Sequence, residues 1–180
     1  MPNVYESSFP TLQINRDYLL REQSLDDAED FLAYYSQTEV NQYIYAEVPT
    51  SIPAALNEII YCRNLFLQKK GLYWTLARAD NNQMIGAFGL YQRSADELEI
   101  CYDLDKDYWS KGIISAAIDT VTAFAFSKMN CKQIFAITTH NNHASIRVLE
   151  KNKFKHAGTL KQYRYFKGTM HDVEKFVVTA

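Results

Sequence analysis

The sequence is poor in the residues that cross-link or interrupt a chain: its 180 residues include three cysteines, four prolines and six glycines. The cysteines, Cys62, Cys101 and Cys131, are far apart, and none belongs to a Cys-x-x-Cys pair. An odd and scattered set of this kind argues against a disulfide framework and predicts reduced, mostly buried thiols. We therefore expect a cytoplasmic protein.

Long runs of one character are also missing. The N-terminus has neither a basic nor an apolar leader segment, and the most apolar run, residues 113–126, is broken by Asp119 and is too short to span a bilayer. The net charge is −2 and no stretch is dense in lysine or arginine, which argues against a nucleic-acid-binding surface. We predict neither a membrane nor a nucleic acid as a partner.

Motifs for metal ions and nucleotides are absent or incomplete. Residues 103–107 have the Asp-x-Asp-x-Asp spacing of a calcium loop, but Tyr108 and Ile114 stand where that loop needs glycine and glutamate. His140 and His143 have neither an HExxH pattern nor cysteine partners. No complete dinucleotide or P-loop fingerprint is present. No metal site is predicted.

What the sequence does contain is the composition of a compact globular protein. It is 47% hydrophobic and 22% charged, with 13 tyrosines and 10 phenylalanines. A chain of this length buries most of its apolar surface around one core. We therefore predict a single domain that spans residues 1–180.

Periodicity and turn residues predict an α/β (α+β) fold. A strand at 18–21 is followed by two helices, one capped by Ser24 or Asp26 and one opened by Pro53. Next come strands at 72–77, 83–91 and 98–104, a helix after Gly112, a strand at 133–138, a helix at 144–151, and closing strands at Phe154 and at 173–178. This order predicts a mixed, mostly antiparallel sheet with helices on both faces.

The functional prediction depends on residues 97–115, which form a strand, an acidic turn and a helix start. In the strand, alternation places Glu99, Cys101 and Asp103 on the face opposite the apolar residues, where they are open to chemistry. Cys101 is expected to be a small packing residue and not a nucleophile.

The helix after Gly112 begins in an unusual way. Lys111 leads into it and no acidic residue occurs before Asp119, which is the charge pattern that the helix dipole disfavours. Free N–H groups, a glycine and a lysine together form a phosphate site, and a bound anion would resolve the conflict. A solvated lysine in a loop is the alternative.

Two segments carry a family resemblance. Residues 109–114 read WSKGII, and residues 142–154 read NHASIRVLEKNKF. The first resembles the (Gln/Arg)-x-x-Gly-x-(Gly/Ala) turn of the GNAT superfamily of N-acetyltransferases, and the second resembles N-x-x-S-x-x-V-L-E-K-x-G-F of its RimJ/RimL branch, the ribosomal-protein-serine/alanine acetyltransferases. The resemblance covers roughly residues 18–178. Ser110, Ile114 and Lys153 depart from the pattern, which has glycine or a small residue at these positions.

The resemblance implies the GNAT fold, whose central sheet is splayed between the fourth and fifth strands, with acetyl-CoA lying in the splay. Pantetheine would pair with the backbone of one strand, and the pyrophosphate would bind the helix start. The implied cofactor-binding residues are Cys101, Tyr102, Asp103, Leu104, Lys111, Gly112, Ile113, Ile114, Ser115, Asn142, Ser145 and Lys151.

The implied activity is transfer of an acetyl group from acetyl-CoA to a primary amine. The acceptor expected first is the N-terminal amine of a protein, as in ribosomal proteins. Small amines (polyamines, antibiotics or amino acids) and a catalytically silent CoA-binding module remain alternatives. The loop between the first two helices and residues 163–172 would set the acceptor, and homodimers are common in the branch.

Two residues are predicted to be catalytic. Glu99 is the candidate base, acting through water, and Ser145 is the candidate donor to the leaving thiolate. An α-amine with a pKa near 8 is already about a tenth neutral at pH 7, so a modest base suffices. The alternatives are that Glu99 is a solvated acid on an exposed sheet face and that Ser145 only takes part in a local helix cap.

Overall fold

The computed structural model describes residues 4–180 and is built around one eight-stranded sheet with the order β1-β2-β3-β4-β5-β6-β8-β7. The strands are β1 Leu12–Gln13, β2 Tyr18–Glu22, β3 Gly71–Arg78, β4 Met84–Gln92, β5 Glu97–Leu104, β6 Gln133–Thr138, β7 Lys155–Phe166 and β8 Thr169–Thr179. Neighbouring strands are antiparallel except β5 and β6, which are parallel. The predicted mixed, mostly antiparallel sheet is confirmed.

The helices are α1 Ala28–Tyr35, α2 Thr38–Asn41, α3 Ile52–Leu67, α4 Ile113–Lys128 and α5 His143–Lys151. The hydroxyl of Ser51 accepts from the N–H of Ala54, and Pro53 lies in the first turn of α3, where its missing N–H costs nothing. Ser24 caps a single 3₁₀ turn, so α1 begins later than its capping residue suggests. No helix within residues 4–180 has both the length and the apolar character needed to cross a bilayer.

The helices cover both faces of the sheet, as predicted. On one face, α1 and α3 bury Phe31, Tyr34 and Ile59 against β4. On the other face, α4 and α5 contribute to a larger core that contains Trp74 and Phe88. Each such side chain contributes about 1.5–3 kcal/mol through removal of its apolar surface from water.

The sheet is splayed between β5 and β6, which are the fourth and fifth of the predicted strands because the two-residue β1 was not foreseen. The two strands pair only from Glu97, opposite Gln133, to Glu99, opposite Phe135. Beyond this point β5 continues to Leu104 bonded to β4 alone. In the described chain, the opposite edge of residues 100–104 therefore faces a cleft and not a strand.

The predicted closing strands were wrong in extent. Phe154 lies before β7, since its N–H donates to the carbonyl of Leu149 and closes the end of α5, with Lys153 in the left-handed conformation (φ 65). Residues 163–172, which lie between the two predicted closing strands, belong to the long β7–β8 hairpin. Its turn is formed by Lys167 and Gly168, both at positive φ.

Candidate active site

A cavity of about 570 Å³ opens where β5 and β6 separate. Its walls come from β5, α3, the segment that follows α2, the start of α5 and Arg164 of β7. The aromatic residues that line it include Tyr35, Tyr43, Tyr45, Tyr61, Tyr73 and Tyr91, and the charged ones are Glu58, Lys70, Arg93, Glu99, Asp103 and Arg164. A cavity of this size, aromatic with a few convergent polar groups, is typical of a ligand site.

Glu99 lies in this cavity at the last paired position of β5. Glu99 is only 4% exposed, because α1 and α3 cover this face of the sheet. The prediction that its side chain lies on an open face was therefore wrong. Oε2 accepts from Nε of Arg93 at 2.6 Å, and Oε1 accepts from Nη2 of Arg164 at 3.2 Å. Because a carboxylate has about four lone-pair directions, two remain for a water or a ligand.

The two arginines were not foreseen from the sequence. The register of the β4–β5 hairpin brings Arg93 close to Glu99, so a correct hairpin alignment could have found it. Arg164 lies 65 positions further along the chain and reaches Glu99 from β7, for which no local signal exists. Two guanidinium groups against one carboxylate leave the surroundings of Glu99 with a surplus of positive charge. In addition, Nε of Arg164 is buried and has no hydrogen-bond partner within residues 4–180.

Asp103, two positions along the same face, has a different environment. Its carboxylate accepts from the hydroxyls of Tyr34 (2.7 Å) and Tyr35 (3.0 Å) and from the N–H of Ala87 (3.1 Å). Burial raises the pKa of Asp103 to about 6, although these hydrogen bonds oppose the shift. The side chain therefore attaches α1 to the sheet, a role that the sequence did not indicate.

Tyr102 and Ser145 meet across the cleft on the other face of β5. Their hydroxyl oxygens are 2.9 Å apart, and the ring of Tyr102 stacks on Phe88. Burial raises the pKa of Tyr102, so its hydroxyl stays protonated at neutral pH. The α5 cap is provided by Asn142, whose Oδ1 accepts from the N–H of Ser145 at 3.2 Å. The Ser145 hydroxyl takes no part in that bond.

The start of α4 has the geometry of an anion site. Gly112 is the N-cap residue in the left-handed conformation (φ 74), and a Cβ there would meet nothing within 4 Å. Since glycine has no side chain, it cannot accept from the N–H groups of the first turn. Lys111 lies beside this turn with Nζ 4.8 Å from the ring centroid of Tyr108.

The remaining predicted cofactor-binding residues are arranged around this turn in different ways. Ile113 is buried in the core, and the hydroxyl of Ser115 accepts from Nδ2 of Asn152 at 3.0 Å, so both could bind a ligand only through the backbone. Leu104 is buried, and its carbonyl accepts from Nε1 of Trp109 at 2.8 Å. Lys151 is exposed at the end of α5.

Comparisons with known proteins agree with this geometry. Residues 17–155 match the family model described as acetyltransferase (GNAT) domain. The chain is 32% identical over 172 residues to the uncharacterized N-acetyltransferase YoaA of Bacillus subtilis (strain 168), covering 94% of this chain and 97% of that protein. It is 28% identical over 159 residues to the uncharacterized N-acetyltransferase p20 of Bacillus licheniformis, covering 87% and 89%.

Solved structures share the fold at low sequence identity. The ribosomal L7/L12 alpha-N-protein acetyltransferase RimL in complex with coenzyme A superposes with a TM-score of 0.84 at 18% identity, covering 94% of this chain and 98% of that one. The microcin C7 self-immunity acetyltransferase MccE in complex with acetyl-CoA and AMP has a TM-score of 0.82 at 18% identity, covering 93% and 94%.

The raised pKa of Asp103 predicts a pH dependence of stability. The unfolded chain loses this proton near pH 4 and the folded protein near pH 6, so between these values the folded state binds more protons. The free energy of unfolding should therefore fall with rising pH across this window, by at most about 1.4 kcal/mol per pH unit from this group.

Urea unfolding at pH 4.5 and 6.5 should show a smaller fall for Asp103→Asn than for wild type. The exposed Asp119→Asn should behave like wild type, and an unchanged slope in Asp103→Asn would contradict the assignment.

Proposed function

The chain belongs to the GNAT family of N-acetyltransferases, and on that premise we propose that it transfers the acetyl group of acetyl-CoA to the N-terminal amine of a protein. The observation that carries the proposal is the open edge of β5 beside the glycine turn of α4. The backbone groups of residues 100–104 that bond neither β4 nor Trp109 offer hydrogen bonds to the amides of pantetheine. The turn at residues 111–115 offers backbone N–H groups to the pyrophosphate.

The acceptor cavity favours the end of a chain over a folded surface. Its volume of about 570 Å³ suits a small molecule or a few residues in extended form. The guanidinium of Arg164 lines this wall with its side chain one-third exposed, so it has N–H groups that can donate to a peptide carbonyl. RimL, which shares the fold, is named for acting on a protein α-amine. A small amine is the second candidate, since the same volume would hold it and MccE binds AMP beside acetyl-CoA.

The charges around Glu99 prepare the amine for attack. Two guanidinium groups against one carboxylate disfavour an ammonium ion there, which lowers the pKa of a bound amine. An α-amine then needs little help to become neutral. Its nitrogen attacks the thioester carbonyl, the C–S bond breaks, and Glu99 takes the amine proton through a water molecule in the cavity.

The leaving thiolate needs a proton or a hydrogen bond. In our proposal the Ser145 hydroxyl donates to the sulfur, and the Tyr102 hydroxyl, 2.9 Å away, donates to Ser145 in turn. The developing oxyanion is stabilised by a backbone N–H on the open edge of β5. Each group thus acts on one charge that appears in the transition state.

Replacing Gly112 with valine should weaken acetyl-CoA binding by about tenfold or more, because a β-branched residue disfavours φ 74 and would displace the phosphate-binding N–H groups. Isothermal calorimetry measures the dissociation constant. Gly168→Val is the matched control, since Gly168 also has positive φ and open space but lies in the β7–β8 turn. Equal affinity of Gly112→Val and wild type would show that the phosphate binds elsewhere, and no heat from wild type at millimolar acetyl-CoA would overturn the proposed function.

Glu99→Gln should lower kcat about 100-fold, because it removes the proton acceptor while preserving shape and acetyl-CoA contacts. A thiol-release assay with acetyl-CoA and a panel of peptides, polyamines and aminoglycosides measures the rate and identifies the acceptor. The acetyl-CoA dissociation constant should stay within about twofold of wild type. An unaltered kcat would exclude Glu99 as the base.

Tyr102→Phe should lower kcat about tenfold with little change in acetyl-CoA affinity, because Ser145 loses its hydrogen-bond donor. If the two hydroxyls act as one unit, the double variant Tyr102→Phe/Ser145→Ala should lose no more than Ser145→Ala alone. Additive losses in the same thiol-release assay would mean that the two residues act independently.

A further inference from the structure

Besides Glu99 and Asp103, the acceptor cavity is lined by a third carboxylate, that of Glu58, which the proposed reaction does not use. Glu58 lies half-buried on α3 and lines the same cavity as Glu99. The thiol of Cys62 donates a hydrogen bond to Oε1 of Glu58, with Sγ 3.7 Å from that oxygen. A thiol is a weak donor, so the carboxylate has most of its acceptor capacity left.

Glu58 has no ion-pair partner in the part of the chain that the structure describes. Among residues 4–180, no lysine, arginine or histidine nitrogen lies within 4.0 Å of the Glu58 carboxylate, whereas Glu99 has two arginines. Lys70 lines the cavity as well but does not reach Glu58. Burial raises the pKa of Glu58, which is the effect expected of a carboxylate without a partner. A positive charge from outside the protein would therefore be bound more strongly at Glu58 than at Glu99.

The walls around Glu58 also favour cations. The rings of Tyr61, three positions after Glu58 on α3, and of Tyr73 line this cavity, and aromatic faces attract positive charge. Two arginines already use tyrosines of the cavity in this way: the guanidinium of Arg93 lies 5.0 Å from the ring centroid of Tyr91, and that of Arg164 lies 5.4 Å from the centroid of Tyr45.

Glu58 is not placed to act on the amine that reacts. Glu58 belongs to α3, where the thiol of Cys62 donates to it, whereas Glu99 belongs to β5. The thioester is proposed to lie along β5, beside Glu99, where the surplus positive charge favours a neutral amine.

We propose that Glu58, together with the tyrosine rings beside it, binds a second positive charge of the acceptor. The inference rests on the proposed function and makes it more specific: preferred acceptors carry a cation besides the amine that is acetylated. Within the proposed function this acceptor is a protein N-terminus with lysine or arginine close behind its first residue. A diamine presents the same chemistry as a small molecule.

The test compares two peptides that begin with serine and differ only at the second residue, lysine in one and the uncharged norleucine in the other. Calorimetry on the CoA-loaded protein measures their affinities without relying on turnover. We expect the lysine peptide to bind about tenfold more tightly. Glu58→Gln should remove this preference and Glu58→Asp should keep part of it, because only the aspartate retains the charge. Glu29→Gln, an exposed acid on α1, is the matched control and should preserve the full preference.

A second arm compares putrescine with butylamine in the same measurement and shows whether the cation belongs to a peptide or to a small amine. Equal affinities within both pairs would overturn the inference, even if peptides are acetylated. A preference that survives in Glu58→Gln would also overturn it. In the thiol-release assay, Glu58→Gln should raise KM for the lysine peptide and leave kcat within about threefold of wild type. If the proposed function is wrong while this inference holds, the lysine peptide still binds more tightly but no thiol is released.

Discussion

The whole arrangement depends on a sheet that stops pairing halfway along one strand. β5 and β6 separate after Glu99 and Phe135, and residues 100–104 present backbone groups to a cleft. Unpaired backbone groups that are removed from water cost free energy, so such a break persists only where other contacts hold both strands. On β5 these contacts are the β4 ladder and the bonds from Tyr34 and Tyr35 to Asp103.

Ion pairs hold the point at which β5 and β6 separate. Glu99 occupies the last paired position and is bonded to Arg93 from the adjacent turn and to Arg164 from β7, so one buried carboxylate ties three segments together. The carboxylate is buried while both arginine side chains are a third or more exposed. Losing an arginine therefore leaves the buried carboxylate less compensated, which is costly, whereas losing the carboxylate leaves guanidinium groups that water can solvate. The hairpin that carries Arg164 is therefore held over the cavity by the residue that we propose as base. Glu99 thus holds the hairpin in place and is also the base in the proposed reaction.

Much of the fold follows from local signals. Turn residues and alternation gave β3, β4, β5 and β6 to within two residues, because these strands are short and have clear breaks. The β7–β8 hairpin was missed, since both its strands are partly solvent-exposed and do not alternate clearly. In addition, Lys167–Gly168 is not one of the residue pairs, such as Asn-Gly, that signal a hairpin turn in a sequence. Glu99 and Ser145, predicted from the sequence to be catalytic, both line one cavity, and their catalytic roles stay predictions. Their partners could not be foreseen, because Arg164 and Tyr102 reach them only through tertiary contacts. The face of Cys101 was expected to be open because alternation tells which residues share a face, not what covers it.

In our proposal, Glu58 and Glu99 take different roles in one cavity. Both are acids in the same wall, and neither local sequence distinguishes them. Their difference comes from the partners that the fold supplies: two guanidinium groups at Glu99 and a thiol at Glu58. A cationic acceptor entering this cavity meets attraction at one carboxylate and a compensated charge at the other, so it is oriented before any covalent step. Because the attraction is electrostatic and the walls exclude much of the water, orientation would contribute to selection among amines whose reacting groups are chemically alike.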